Sequence, residues 1–334
     1  MQHTATITKP RIAFIGVGWI GRHRMEAAAK TGLADITVLC DPSDECIEEA
    51  KKVAPLSAVA SSFDQTINDP QIDAVVIATP SAVHMQQTVA ALQNNKAVFC
   101  QKPLGRNSAE VATAIKTAQV ADKLLGADFS YRYTTAFSAI HNIIRSGELG
   151  EIYAIELKFH NAYGPGKPWF YDIQQSGGGC VLDLGVHMID LALYALEFPD
   201  VSAISSRLYS KGNIVTSRTV VEDYADVMMK AGSVNAHLSC SWNLHAGTEA
   251  IIEASFYGTK GGVAIKNIDG SFYNFAGYRY WNTKSEMIVA PPDEWGGRAI
   301  TDWLNRLSSS NRFQSDALNY YPSAQVIDRI YGIE

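Results

Sequence analysis

An α/β domain followed by an α+β domain is the architecture this sequence predicts, on three observations. Up to about residue 125, short unbroken apolar runs alternate with stretches of helical periodicity. After about residue 150, apolar and polar residues alternate in twos. A glycine-rich turn joins the first apolar run to the first helical stretch. Unbroken apolar runs suit parallel strands covered on both faces, whereas alternation suits antiparallel strands with one wet face. Regular βα alternation implies right-handed crossovers and a doubly wound sheet. The boundary is placed between residues 1–130 and 131–334, with the terminal helix free to return to the first domain.

The expected strands of the first domain are RIAFIG (11–16), ITVLCD (36–41), a weak SAVA (57–60), DAVVIATP (73–80), AVFCQ (97–101) and LLGADFS (124–130). Ser81 is the expected N-cap of a helix that buries Val83, Val89, Ala90 and Leu92. Ser108 is in the same position before AEVATAIKTAQVA. In the second half, Tyr153, Ile155, Leu157 and Phe159 share one strand face, opposite Glu156, Lys158 and His160. Val234, Ala236, Leu238, Cys240 and Trp242 do the same in VNAHLSCSW, and AIIEASFYG follows the rule. Gly258–Gly262 and Asp269-Gly270 are expected hairpin turns. One long helix is expected over about 182–197, and two more, 298–308 and 322–332, close the chain.

The 334 residues suffice for two domains, and 47% apolar with 19% charged residues describes a chain with a sizeable core. A net charge of −6 argues against a nucleic-acid or anionic-membrane surface. No apolar run approaches the roughly 18–20 residues that span a bilayer. The opening MQHTATITKP carries no export signal and is expected to be a disordered lead-in, which makes the expected location cytoplasmic. Five cysteines, none in a CxxC pair, are expected to be free structural thiols. The eight histidines form no HExxH or HxH pattern, so no metal is expected. GxSxG and the Walker lysine are absent as well.

The turn Gly16-Val17-Gly18-Trp19-Ile20-Gly21 is a GxGxxG with a strand before it and a helix after it. Gly16 permits the tight turn, Gly18 lets backbone approach a pyrophosphate, and Gly21 lets helix pack on strand. The helix N-terminus then offers free N–H groups to the phosphates. Asp41, 20 residues past Gly21, ends the next strand. A carboxylate there accepts from ribose hydroxyls and repels a 2′-phosphate, so NAD is expected over NADP. The plainer alternative is that Asp41-Pro42 only starts a helix. This is the pattern of a Rossmann dinucleotide-binding domain.

Four blocks, IGVGWIG (15–21), ATPSAVH (78–84), CQKPLG (100–105) and GGGCVLDLGVHMIDL (177–191), together resemble the Gfo/Idh/MocA oxidoreductases, the glucose–fructose oxidoreductase and inositol dehydrogenase family. Their order and spacing match over nearly the whole chain. The resemblance implies a Rossmann domain, a second domain with a large mostly antiparallel sheet, a nicotinamide cofactor, and hydride transfer at a sugar or cyclitol carbon. By motif it carries Lys102, Asp183 and His187 over as catalytic residues. It puts Thr79, Pro80 and His84, together with Gln101 and Lys102, beside the cofactor, and Arg132 near the substrate. At position 101 the family's usual residue is glutamate. Gln101 removes an anion next to Lys102, which is expected to make that lysine easier to deprotonate.

Oxidising a secondary alcohol needs a hydride acceptor and a nearby proton acceptor. His187 suits the second role, and Asp183, four residues earlier, is expected on the same helix face to orient it or bind a hydroxyl. Lys102, at the carboxyl end of the fifth strand, is expected to polarise the reacting oxygen. Its peptide bond to Pro103 is a candidate cis bond. The plainer readings are a helix start around Asp183 and a surface lysine at 102. HNAYGPGKPWFYD (160–172) is expected to form a loop over the substrate, with Tyr163, Lys167 and Trp169 as contacts; a packed loop or subunit contact is its alternative. Whether PPDEWGGRAITDW (291–303) approaches the site is open at this level. The reading is an NAD-dependent sugar or cyclitol dehydrogenase, a homodimer or homotetramer covering the open sheet face. Its rivals are an NAD-dependent glycosidase acting by transient oxidation and a non-catalytic dinucleotide- or sugar-binding regulator.

Overall fold

A computed structural model describes residues 9–333. Residues 1–8, most of the expected lead-in, lie outside the described residues. The first domain is a six-stranded sheet built from β1 (Arg11–Ile15), β2 (Asp35–Cys40), β3 (Ala58–Val59), β4 (Ala74–Ile77), β5 (Ala97–Cys100) and β6 (Leu125–Ala127). Its order is β3-β2-β1-β4-β5-β6 and every pair is parallel. Between the strands lie α1 (Trp19–Thr31), α2 (Asp44–Lys51), α3 (Phe63–Asn68), α4 (Ser81–Gln93) and α5 (Ser108–Ala121). Strand order reverses at β1/β4, and sheets of this kind bind ligands beyond the strand carboxyl ends at such a point.

Two expected caps move by one residue. Pro80 caps α4, its fixed φ of −62° placing Ser81 inside the helix. Asn107, not Ser108, caps α5, because its side chain accepts from Glu110 N at 2.9 Å. The run LLGADFS pairs only over Leu125–Ala127, after which the chain turns into a 3₁₀ turn, Ser130–Tyr133.

The second domain is a nine-stranded sheet: β7 (Ile152–Asn161), β8 (Val201–Ser210), β9 (Asn213–Ile214), β10 (Tyr224–Ala231), β11 (Val234–Ser241), β12 (Ala250–Gly258), β13 (Gly262–Asn267), β14 (Phe275–Trp281) and β15 (Lys284–Val289). Its order is β15-β14-β13-β12-β7-β11-β10-β8-β9, with β7–β11 parallel and the remaining pairs antiparallel. Ile155, Leu157 and Phe159 are buried as the alternation requires, while Tyr153 on the same side is exposed. His160 points to the opposite face yet is buried among Ser239, Ser241 and Tyr224. The Asp269-Gly270 turn has both residues at positive φ, 51° and 73°.

The packing helices are α6 (Thr135–Arg145), a short α7 (Ile173–Ser176), α8 (Val186–Ala195), α9 (Arg298–Ser309) and α10 (Tyr321–Ile330). The helix expected over 182–197 is not uniform: a π-helical turn, Val181–Gly185, precedes α8. The stretch Ile173–Ala195, 23 residues, meets the length and composition of a membrane span only on average, since Gln174, Gln175, Asp183, His187 and Asp190 interrupt its apolar residues. Of its 18-residue apolar window, 89% is buried inside the protein, so its apolarity is that of a core helix. Helix α9 packs on α1 and β5, and α10 packs on α5 and α8, so both closing helices reach the first domain.

Three buried histidines set an acid limit. Burial, then the Lys158 charge, push His160 down to about 4 from 6.5, and burial lowers His84 and His187 as well. Below pH 6.5 the unfolded chain therefore binds more protons than the folded one. Stability is full above that pH and declines as pH falls toward 4, by on the order of 3 kcal/mol for His160. Thermal melts at pH 7 and 4.5 are expected to show the drop, and His160→Gln to remove part of it.

Candidate active site

A cleft of about 1120 Å³ opens beyond the carboxyl ends of β1, β2, β4 and β5 and is closed on its other side by the second domain. The glycine turn forms one end. Gly16 has φ +82°, and a Cβ on it would lie 2.6 Å from Ala78 O. A Cβ on Gly21 would lie 2.1 Å from Gly16 O, so helix and strand touch only because both positions lack side chains. A Cβ on Gly18 would meet nothing within 4 Å: it faces the open cleft where a diphosphate approaches. The first turn of α1 has no side-chain cap, which leaves its N–H groups for an anion. Trp19 and Ile20 line the cleft beside it.

Asp41 also lines the cleft, and its carboxylate accepts from Val17 N at 2.8 Å and Ser43 N at 2.9 Å. It therefore ties the glycine turn to the start of α2 while keeping lone pairs for a ribose. Glu45, Ser61 and Ser62 line the same end, where no lysine or arginine does so among the described residues.

Thr79 and Pro80 form the rim after β4, with Thr79 Oγ1 donating to Gln87 at 2.6 Å. His84 also lines the cleft, but it is 1% exposed and its ring nitrogens lie 2.7 Å from the Thr79 and Pro103 carbonyl oxygens. It pins the loop after β4 to the loop after β5. Its imidazole has no nitrogen left for a cofactor, so it positions the cofactor rim. The Lys102–Pro103 peptide bond is cis.

Lys102 Nζ donates to the Asp183 carbonyl at 2.7 Å and to Asp183 Oδ1 at 2.8 Å, in a pair whose side chains are each 17% exposed. The other Asp183 oxygen accepts from Trp242 Nε1 at 3.2 Å. Asp183 thus grips the lysine and makes no hydrogen bond to His187, because the π-helical turn between them changes the phase that a regular helix would give. It also means that Lys102 has a carboxylate beside it even though residue 101 is neutral. His187 is 7% exposed, packs on the Tyr131 ring at 4.7 Å, and has no partner at Nδ1. Burial first, then Lys102 and Arg24, hold its pKa well below 6.5, so the ring is neutral at pH 7.

Two sequence candidates lie elsewhere. Arg132 does not line this cleft: Nε donates to Asp190 at 2.7 Å, Nη2 completes the fork, and Tyr194 stacks beneath the guanidinium at 4.6 Å. A buried guanidinium needs a fixed carboxylate, and that need fixes its place. Tyr163 is half exposed outside the cleft and reaches it only by stacking on Phe272 at 6.1 Å. Lys167 and Trp169 do line it, as do Trp295 and Gly296 from the 291–303 run. Sequence reading overlooked Arg24, Asp128, Tyr131 and Trp242. The available signals were an arginine on the buried side of α1 and an acid ending a buried strand.

A glycine phosphate turn, a ribose-side carboxylate and a lysine–aspartate–histidine group in one cleft define a dinucleotide-dependent oxidoreductase. The family described as the oxidoreductase family with NAD-binding Rossmann fold matches residues 10–129, and the Gfo/Idh/MocA C-terminal domain matches residues 137–264. The chain belongs to the Gfo/Idh/MocA oxidoreductase family. It is 24% identical to the D-glucoside 3-dehydrogenase of Escherichia coli K12, over 99% of this chain and 97% of that one. It is 26% identical to the myo-inositol 2-dehydrogenase of Thermotoga maritima, over 77% and 75%. Among solved structures, a 3-ketoreductase from Actinomadura kijaniata in complex with NADP and TDP-benzene superposes with a TM-score of 0.83 at 17% identity, covering 97% of each chain. A levoglucosan dehydrogenase in complex with NADH and levoglucosan gives 0.81 at 20%, covering 98% and 97%.

Proposed function

We propose that this enzyme transfers a hydride between a secondary alcohol of a sugar or cyclitol and NAD. The observation that carries it is the convergence of Lys102, Asp183 and His187 on the cleft that holds the glycine turn. A nicotinamide cofactor, which the glycine turn, the α1 N-terminus and Asp41 would hold, would supply the hydride acceptor for the alcohol carbon. An ammonium has three donors, and two of those on Lys102 go to Asp183; the third is free to hold the substrate oxygen as it becomes a carbonyl. His187, neutral and lining the cleft, takes the hydroxyl proton at Nε2, since its Nδ1 is buried without a partner. Trp169 and Trp295 offer aromatic faces to sugar C–H groups, and Lys167 offers a donor to a hydroxyl. A panel of sugars and inositols with NAD⁺ and NADP⁺, read as reduced-cofactor absorbance, tests the reading; no NAD⁺ reduction with any polyol would overturn it.

NAD is favoured over NADP because Asp41 and Glu45 put negative charge, and no base, at the ribose end of the cleft. Asp41→Ala is expected to weaken NAD⁺ and improve NADP⁺, shifting the ratio of their kcat/KM values by about tenfold or more toward NADP⁺. An unchanged ratio would remove Asp41 from cofactor choice. The reading includes self-association through the open face of the second sheet, where Met228 is exposed beside His237 and Glu156. A monomeric mass by light scattering would refute that part.

A further inference from the structure

The neutral residue before Lys102 is part of a buried chain of contacts that ties the cofactor helix to the lysine. Asp128, 0% exposed at the end of β6, receives two donors on one oxygen. Arg24 Nε of α1 donates to Asp128 Oδ2 at 2.5 Å, and Gln101 Nε2 donates to the same oxygen at 2.8 Å. The Gln101 amide oxygen accepts from Lys102 N at 3.0 Å. Arg24 also contacts Ser130 Oγ at 3.4 Å and His23 Nδ1 at 2.8 Å. Arg24 and Gln101 line the cleft, and Asp128 stands behind them.

Only a side chain with both a donor and an acceptor can serve at position 101. An amide donates through nitrogen and accepts through oxygen; a carboxylate only accepts. A glutamate of the same shape would set a second carboxylate against Asp128 in a buried place, with one cation, Arg24, between them.

We infer that Gln101 and Asp128 are a matched pair of positioning residues that hold Lys102 relative to the cofactor helix through Arg24. Their partnership, and not the charge of residue 101 alone, sets the aim of the lysine. The inference deepens the hydride-transfer reading and rests on it for its activity arm. It implies that Gln101→Glu is harmful although it is isosteric and brings an anion closer to Lys102. It also implies that the harm depends on Asp128.

The test compares Gln101→Glu, Asp128→Asn and the double variant in the full-length protein. Turnover is measured with the best polyol of the panel, NAD⁺ affinity by titration, and melting temperature without substrate. Each single change is expected to lower kcat by about tenfold or more, with KM changed much less. In the double variant the amide and the carboxylate have exchanged places. The amide now at position 128 can donate to the carboxylate now at position 101, and a single negative charge remains near Arg24. The double variant is therefore expected to exceed the poorer single variant in kcat and in melting temperature. Losses that multiply in kcat and add in melting temperature would overturn the pairing, as would a Gln101→Glu variant equal to the parent. Melting requires no substrate, so the pairing is read there even if no polyol is turned over, and the two failures stay separate.

Discussion

Lys102→Ala is expected to lower kcat by about a thousandfold while leaving NAD⁺ affinity within a few-fold of the parent. In the proposed mechanism the lysine holds the reacting oxygen, with two of its three donors anchored on Asp183. Its removal also leaves the Asp183 carboxylate, 17% exposed, with Trp242 as its remaining partner. The proposal assigns cofactor affinity mainly to the other end of the cleft, to the glycine turn, the α1 N-terminus and Asp41. The decisive measurement is a split between single-turnover hydride transfer and NAD⁺ titration. Full turnover in the variant would remove Lys102 from the chemistry; loss of NAD⁺ binding alone would make it a cofactor ligand.

The largest expected effect on stability is at Trp303. Its side chain is 0% exposed, and its ring lies 5.6 Å from Phe99 on β5. A Cβ on Gly126 of β6 would stand 2.5 Å from it, so the strand keeps a glycine where the indole packs against the sheet. Trp303→Ala is expected to cost about 3–5 kcal/mol, read from denaturant unfolding. The indole Nε1 is buried with no partner, so Trp303→Phe keeps much of the packing and drops an unpaired donor. It is expected to cost clearly less. Equal losses in the two variants would show that the full bicyclic ring, and not an aromatic ring of any size, is needed to hold α9 in place.

The two results probe different layers of what the sequence reveals. The glycine turn was legible because much of its constraint is local: Gly16 sits at φ +82°, and a Cβ on Gly21 would meet Gly16 O five residues back. The alternating strands of the second domain were legible for the same reason, since Ile155, Leu157 and Phe159 repeat at the period of a pleated strand. Arg132 was misplaced because a motif gives a position in the chain but not the carboxylate that claims its guanidinium, and Asp190 lies 58 residues away. His84 illustrates the same point: its two carbonyl partners come from separate loops. The effect of Gln101 was judged from its missing charge, whereas its environment depends on Asp128 and on Asp183 gripping Lys102.

By itself the sequence determined the two-domain order, the dinucleotide turn, and Lys102, Asp183 and His187 as the residues to weigh. The first two follow from periodicity and spacing, and the three residues from the resemblance of the CQKPLG and GGGCVLDLGVHMIDL blocks to the family's motifs. Tertiary structure alone decided that α9 and α10 return to the first domain, that a π-helical turn sends Asp183 to Lys102 instead of His187, and that Arg24 and Asp128 stand behind the lysine. The physical reason is that a buried charge or amide is placed by the partner that satisfies it. That partner is brought in by folding from a distant part of the chain, 81 residues away for Lys102 and 104 for Arg24.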